Sequence, residues 1–267
     1  MKKWRFIVAM EFRKIFAYRS DFWVTFLGQT LLQLLVARAL WQNIFESQGQ
    51  TELNGFTLST MTLYYLITSV GTKILAGENV GFISREIYDG TFTRYLIYPL
   101  SFLEYKTITY LTYSLFYSMH LSLIFLLYHL LFYPDQLTLI TLANLTLGTG
   151  VFLLAAFAYA MMATLVELMA LWAENIWSLM VMLRFLAFFF GGSFIPLDFF
   201  PAWALEILKY TPFPYLINLP VKTIMGQMDP IQVLQGAGIL LFWIGFFRAA
   251  VLLLWKKGQL NYSGAGI

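Results

Sequence analysis

The chain contains no cysteine, only two histidines, and just 12% charged residues over 267 positions. Without Cys there is neither a disulfide framework nor a thiolate metal site. His120 and His129 are nine residues apart, so they do not meet at the i, i+4 spacing of a helical metal pair. The GxxxxGK[ST] phosphate loop is missing, which excludes ATP binding in the P-loop manner. HExxH and GxSxG are missing too, and with them the zinc-protease and serine-hydrolase signatures. Glu167 and Glu174 are the nearest thing to a carboxylate pair. They sit at a predicted span end, where a solvated carboxylate costs little, and no catalytic role is assigned to them. The expectation is therefore a chain with no catalytic residues, no metal and no cofactor of its own. Its net charge of +3 is small and its basic residues are clustered, so no nucleic-acid partner is implied.

What is abundant is apolar. Hydrophobic residues make up 60% of the chain and aromatics 19%, and the mean hydropathy is +0.70. Soluble domains are about half apolar and a quarter charged, so the composition predicts an all-α integral membrane protein. A spanning helix needs about 20 mostly apolar residues. Six runs meet that length: 23–45, 57–80, 107–133, 138–165, 175–195 and 231–255. Around them the chain divides into an N-terminal interfacial helix (1–22), a segment between the second and third spans (81–106), a proline-rich segment (196–230) and a tail (256–267), all within one transmembrane unit. The N-terminus has no uninterrupted apolar core before a small-residue cleavage site, so no removable signal peptide is read. Trp4, Ile7, Val8, Phe12, Ile15 and Phe16 give residues 2–19 a broad apolar face, interrupted by Arg5 and Glu11.

Lys and Arg placement sets orientation. With the N-terminus inside, Lys2, Lys3, Arg5, Arg13, Lys14, Arg19, Arg85, Arg94, Lys106, Lys256 and Lys257 are inside, and only Lys209 and Lys222 are outside. Both termini are expected in the cytoplasm. Arg38, Lys73, Arg184 and Arg248 fall within spans, where each needs a partner or an escape route. Arg184 is the deepest. It is assigned either to a structural pair in the bundle or to the wall of a transport path. Gln29 and Gln33 in the first span, and Tyr110, Tyr113 and Tyr117 in the third, form polar stripes. These serve either helix–helix hydrogen bonding or a wall for an amphipathic or cationic substrate, since Tyr faces attract cations.

Two segments remain. Residues 84–101 read SREIYDGTFTRYLIYPLS. They are predicted to form one amphipathic helix, with Ile87, Thr91, Tyr95 and Tyr98 near one face, and to stop at Pro99. A plain connector needs neither that length nor that pattern. Residues 196–230 are broken by Pro196, Pro201, Pro212, Pro214, Pro220 and Pro230, with one short helix expected in AWALEILKYT. A packed outer cap is expected there.

In the basic N-terminal helix, the six spans, the E-x-x-x-G-T-h-x-x-h-h-h-x-P-L-S pattern at Glu86–Ser101 (h apolar or aromatic) and GGSFIPLDFFPAW followed by PFPYLINLP, the chain resembles the membrane subunits of type-2 ABC exporters, in their compact bacterial branch. The resemblance covers nearly the whole chain. It implies that Arg85, Glu86, Asp89, Gly90, Thr91 and Arg94 form a coupling helix docked on a separate ATPase. It implies that the region holding Pro196, Pro201, Trp203, Pro212 and Pro214 is the extracellular cap. Gln29, Gln33, Tyr110, Tyr113, Tyr117 and Arg184 are the substrate-path candidates. Further implications are a bacterial inner-membrane location, two ATP-binding cassette ATPase subunits that supply ATP and Mg, a second or sister permease, and surrounding lipid. The cargo is hydrophobic or amphipathic, a class that includes cationic drugs and lipids. The rival readings are an ATP-independent channel or carrier, a lipid-modifying enzyme and a structural assembly subunit.

Overall fold

The apolar runs become helices, and the polar residues beside them fix where several begin. In the computed structural model, residues 2–77, 82–97, 101–132, 140–173 and 175–259 are described. The helices in chain order are α1 (Lys2–Ala17), α2 (Arg19–Gln48), α3 (Leu58–Ala76), α4 (Phe82–Tyr88), α5 (Phe102–Phe132), α6 (Leu142–Glu167), α7 (Trp177–Phe189), α8 (Ala202–Leu208), α9 (Phe213–Leu216), α10 (Asn218–Ile224) and α11 (Pro230–Gly258). Short 3-10 helices follow α4 (Thr91–Ile97), α6 (Leu168–Leu171) and α7 (Leu197–Phe199). Thr57 caps α3 in a reciprocal box with Thr60, Thr141 accepts the Asn144 N–H at the start of α6, and Asp229 and Gln232 box the start of α11. Each device satisfies backbone N–H groups that a helix start leaves without partners.

Among the described residues, Phe22–Gln48, Leu142–Leu171 and Pro230–Gly258 are long and apolar enough to cross a membrane, and Trp177–Phe189 is a shorter apolar helix. The expected span 175–195 is thus helical over only 13 residues, about 20 Å at ~1.5 Å per residue. Beyond it Gly191 and Gly192 turn the chain. Gly192 has φ +88 and a Cβ there would lie 2.8 Å from the Tyr64 hydroxyl, so a side chain is disfavoured there on both counts.

α6 lies at the centre. Phe152, Ala155, Ala156, Ala158 and Tyr159 are fully buried, and α3, α5, α10 and α11 pack around them. α2 lies on α3, and α1 on α5. Small residues on α6 permit this closeness, because bilayer helices associate through close packing and not by fleeing water. On α1 the buried face is Ile7, Glu11 and Ile15, while Trp4 and Phe16 are exposed. The expected arc of Trp4, Ile7, Val8, Phe12, Ile15 and Phe16 is therefore split. The reason is Glu11, which turns inward, pairs with Lys14 at 2.8 Å and accepts from the Tyr105 hydroxyl of α5 at 3.4 Å.

The proline-rich segment folds back over α2 and α3. Tyr64 donates to the Gly192 carbonyl at 2.7 Å. Tyr65 donates to the Phe194 carbonyl at 2.8 Å and accepts from Trp41 Nε1 at 3.0 Å. Asp198 pairs with Lys222 at 2.5 Å, and the Trp41 and Phe199 rings lie 4.9 Å apart.

The α6–α10 seam gives a direct test. A Cβ on Gly148 would lie 2.3 Å from Ile224 Cγ1 and 3.0 Å from the Pro220 carbonyl oxygen. Gly148→Leu should lower the thermal midpoint in detergent by an amount equivalent to about 1–3 kcal/mol of overpacking. Gly238→Leu, with open space at its Cβ, should leave the midpoint unchanged. Equal midpoints for the two variants would remove α10 from this seam.

Candidate functional site

Residues 84–97 do not form one helix. α4 ends at Tyr88, and the chain turns through Gly90 at φ +66 before the 3-10 helix Thr91–Ile97 begins. Gly is the residue that adopts this left-handed conformation without a Cβ clash, and it breaks the expected single face. Ile87 and Tyr95 are buried while Thr91 is exposed. Tyr98 and Pro99 lie outside the described residues, as do Glu78 and Glu174.

Four ties hold this element to the bundle. Glu86 is 8% exposed. Its carboxylate receives Arg94 Nη2 at 2.7 Å, the Tyr95 hydroxyl at 2.6 Å and Lys106 Nζ of α5 at 2.7 Å. Glu167, at the end of α6, is 2% exposed and accepts the Ile83 N–H at 2.7 Å and the Ser84 N–H at 3.4 Å. It thereby supplies from another helix the anionic cap that the start of α4 lacks. Tyr88 Oη accepts the Ile176 N–H at 3.1 Å and donates to the Ala173 carbonyl at 3.3 Å, which ties the end of α4 to the α6–α7 connection. Finally, Phe92, Tyr95, Phe102 and Trp255 form a ring cluster, with Phe92 and Phe102 at 4.7 Å and Phe102 stacked on Trp255 at 5.5 Å. Burial, and then the neighbouring Glu86 carboxylate, push the Tyr95 phenol above its ordinary pKa, so it remains a hydrogen-bond donor at neutral pH.

The six coupling candidates therefore divide. Arg85 and Asp89 are exposed and face each other at 3.5 Å, and Thr91 and Arg94 are also exposed. Glu86 points inward and Gly90 makes the turn. The reading of Glu167 as a solvated carboxylate is corrected: it is enclosed, because two backbone N–H groups and a bundle seam require it there. The available signal was its position in the apolar run AMMATLVELMALW, where a carboxylate without a partner is costly. Lys106 and Tyr88 carried no such signal, since their partners lie on other elements.

Of the six substrate-path candidates, Gln29, Gln33, Tyr117 and Arg184 line one cavity of about 330 Å³ between α2, α3, α5 and α7. Lys73 lines it too, bonded to Gln29 Oε1 and 5.7 Å from the Phe26 ring centre. Tyr110 is elsewhere. It is buried beside Gly77 and borders a small void with Lys106 and Glu167. Tyr113 is half-buried and absent from the described lining of these cavities. The three tyrosines share one face of α5 but not one wall, because Tyr110 and Tyr117 stand seven residues, about 10 Å, apart along the helix and border different spaces. Arg184 lies beside the buried Tyr159 phenol, and no carboxylate lies within ion-pair distance of it among the described residues. His120 is a packing residue, with Nδ1 2.7 Å from the Phe116 carbonyl and its ring among Phe22, Trp23 and Phe116.

In the proline-rich segment, Pro196 leads into the 3-10 helix and Pro201 into α8, while Pro212 and Pro214 frame the start of α9. Proline's fixed φ and missing donor suit helix starts. Trp203 is 68% exposed.

No curated protein and no solved structure matches the chain. Residues 28–266 match the family described as ABC-2 family transporter protein, a span that takes in the polar cavity, the tied α4 element and the proline-rich segment. The chain belongs to the ABC-2 family of membrane transporter proteins.

Proposed function

We propose that this chain is the permease subunit of an ATP-driven exporter and that α4 with its following 3-10 helix is its joint to a separate cytoplasmic ATPase. One observation carries the reading: Glu86, Glu167, Tyr88 and the Trp255 ring cluster tie this exposed element to α5, α6, the α6–α7 connection and α11. An element gripped by four parts of the bundle transmits a push, whereas a solvated connector absorbs it. Arg85, Asp89, Thr91 and Arg94 present its outer surface to the ATPase, and Glu86 is the internal brace.

In this reading α2, α3, α5, α6, α7 and α11 are the six spans. Both termini and α4 are cytoplasmic, the 196–230 segment caps the outer face, and the location is a bacterial inner membrane. Two permease copies, identical or sister, sit on two ATPase subunits that bind ATP and Mg. ATP closes the ATPases, α4 moves with them, and the bundles rock to open a path along the cavity lined by Gln29, Gln33, Tyr117 and Arg184. Lys73 and Arg184 line that cavity with no carboxylate among its described lining residues. This favours an amphipathic cargo with a neutral or anionic head over a cationic one.

Two substitutions separate joint from brace. The exposed Arg85–Asp89 pair is worth less than about 1 kcal/mol. Asp89→Lys should therefore leave the melting midpoint in place while abolishing ATPase co-purification and ATP-driven transport. An ATPase that still co-purified and drove transport at the wild-type rate would overturn the joint. Glu86→Gln strips Lys106 and Arg94 of their counter-ion. It should cost about 1–3 kcal/mol of stability, read as a lowered midpoint with the rest of the bundle folded. Transport by the purified chain without ATPase would favour the carrier reading instead.

A further inference from the structure

A second cavity, separate from the proposed path, opens between α4 and the start of α7. Its volume is about 330 Å³, and its lining includes Ser84, Arg85, Tyr88, Asn175, Trp177 and Arg184. Two guanidinium groups 99 positions apart in sequence face one space, with no carboxylate among the described lining residues. α7 begins here, with the Trp177 N–H bonded to Asn175 Oδ1 at 2.8 Å, and the positive end of its dipole adds to the field. The walls are otherwise apolar, with Ile176, Met180 and Val181. Running away from it along α7, Trp177, Val181 and Phe185 form an exposed i, i+4, i+8 stripe at 70%, 45% and 53% exposure.

An arginine within a membrane bundle needs an anion or an escape route. Among the described residues, Arg184 has no carboxylate partner, and Arg85 has the loose, exposed contact with Asp89 alone. Guanidinium groups match phosphate oxygens in a bidentate geometry. An exposed tryptophan at the cavity edge is the kind of residue found at headgroup level.

We propose that this cavity binds a phosphate-bearing amphiphile, its headgroup between Arg85 and Arg184 and its tail along the Trp177–Val181–Phe185 stripe. The bound molecule bridges α4 to α7 and so joins the ATPase-facing element to a wall of the path. The amphiphile is either a resident anionic lipid or cargo entering from the inner leaflet. Binding does not depend on the exporter reading, because it requires no ATPase.

The test is native mass spectrometry of the full chain, purified alone in neutral detergent and offered phosphatidylglycerol, phosphatidylcholine or glycerol 1-phosphate. The wild type should retain phosphatidylglycerol at least about tenfold better than Arg184→Gln or Arg85→Gln, a difference of about 1.4 kcal/mol. It should also prefer phosphatidylglycerol to phosphatidylcholine. Arg184→Lys, which keeps the charge but loses the bidentate fork, should fall between wild type and Arg184→Gln. Size-exclusion profiles identical to wild type show that the variants remain folded. Equal retention of both lipids, or wild-type retention of phosphatidylglycerol by folded Arg184→Gln, overturns the site. Displacement of bound lipid by glycerol 1-phosphate means that the phosphate alone suffices, which also overturns the amphiphile assignment. For a site that passes, ATP-dependent movement of a labelled phosphatidylglycerol across vesicles containing chain and ATPase identifies cargo, and retention without movement identifies a resident lipid.

Discussion

A carboxylate enclosed in a membrane bundle has to be surrounded by donors, and Glu86 meets that demand by collecting Arg94, Tyr95 and Lys106 from three directions. Burying the charge costs several kcal/mol unless partners repay it, so the backbone around Glu86 is restricted to arrangements that deliver those partners. The 3-10 helix must fold back beside α4 to bring Arg94 and Tyr95, and that return is made by the left-handed turn at Gly90. Lys106 must sit on the first turns of α5, and its ammonium lies 5.1 Å from the Tyr95 ring centre and 5.7 Å from that of Phe102. Glu167 imposes a second demand of the same kind from α6. Together the two carboxylates fix α4 against helices that are distant in sequence.

The sequence disclosed the parts whose cause is local. Apolar runs longer than a bilayer is thick became α2, α3, α5, α6 and α11 close to their expected positions, because hydrophobicity and length decide them. Pro201 and Pro212 correctly bracketed α8. Its polar stripes converged in part: Gln29 and Gln33 share a cavity with Tyr117 and Arg184, since the i, i+4 spacing on α2 fixes their common face. What was illegible depended on partners elsewhere. Glu167 looks solvated until α4 is laid across it. Glu11 looks like a flaw in an amphipathic helix until Tyr105 is opposite. The helix expected over 84–98 satisfied periodicity, but periodicity carries no information about the pull of Lys106 on Glu86. α7 fell short of its expected length because the Gly191–Gly192 turn lies against Tyr64 and Ile217, a packing event beyond any local propensity.

The two ends of the bundle are held by different chemistry. At the end carrying the proline-rich segment, two phenols donate to backbone carbonyls, the Trp41 indole donates to one of those phenols, and an Asp198–Lys222 pair joins them. Such bonds fix the position of a turn. At the α4 end, ionised groups and stacked rings fix a short helix to four partners. Between them, the polar cavity separates α2 and α3 from α7, and there cation and amide side chains replace close apolar packing. Around α6 the packing is close, with Ala155, Ala156 and Ala158 fully buried beside Phe152 and Tyr159.

This distribution says where the molecule can move. Interiors packed at close density are bistable more than they are deformable, and α3, α5, α10 and α11 all pack closely on α6. The seam bordered by Gln29, Gln33, Lys73 and Arg184 holds a cavity of about 330 Å³, where side chains meet across space large enough for water or a headgroup. In the proposed mechanism, a push delivered at Arg85 or Asp89 travels through Glu86 into α5 and through Glu167 into α6. Arg184 borders both this seam and the cavity beneath α4. If both proposals hold, it is the side chain through which occupancy of one space is felt in the other: an anion drawing its guanidinium toward α4 would withdraw positive charge from the proposed path, and its release would return that charge.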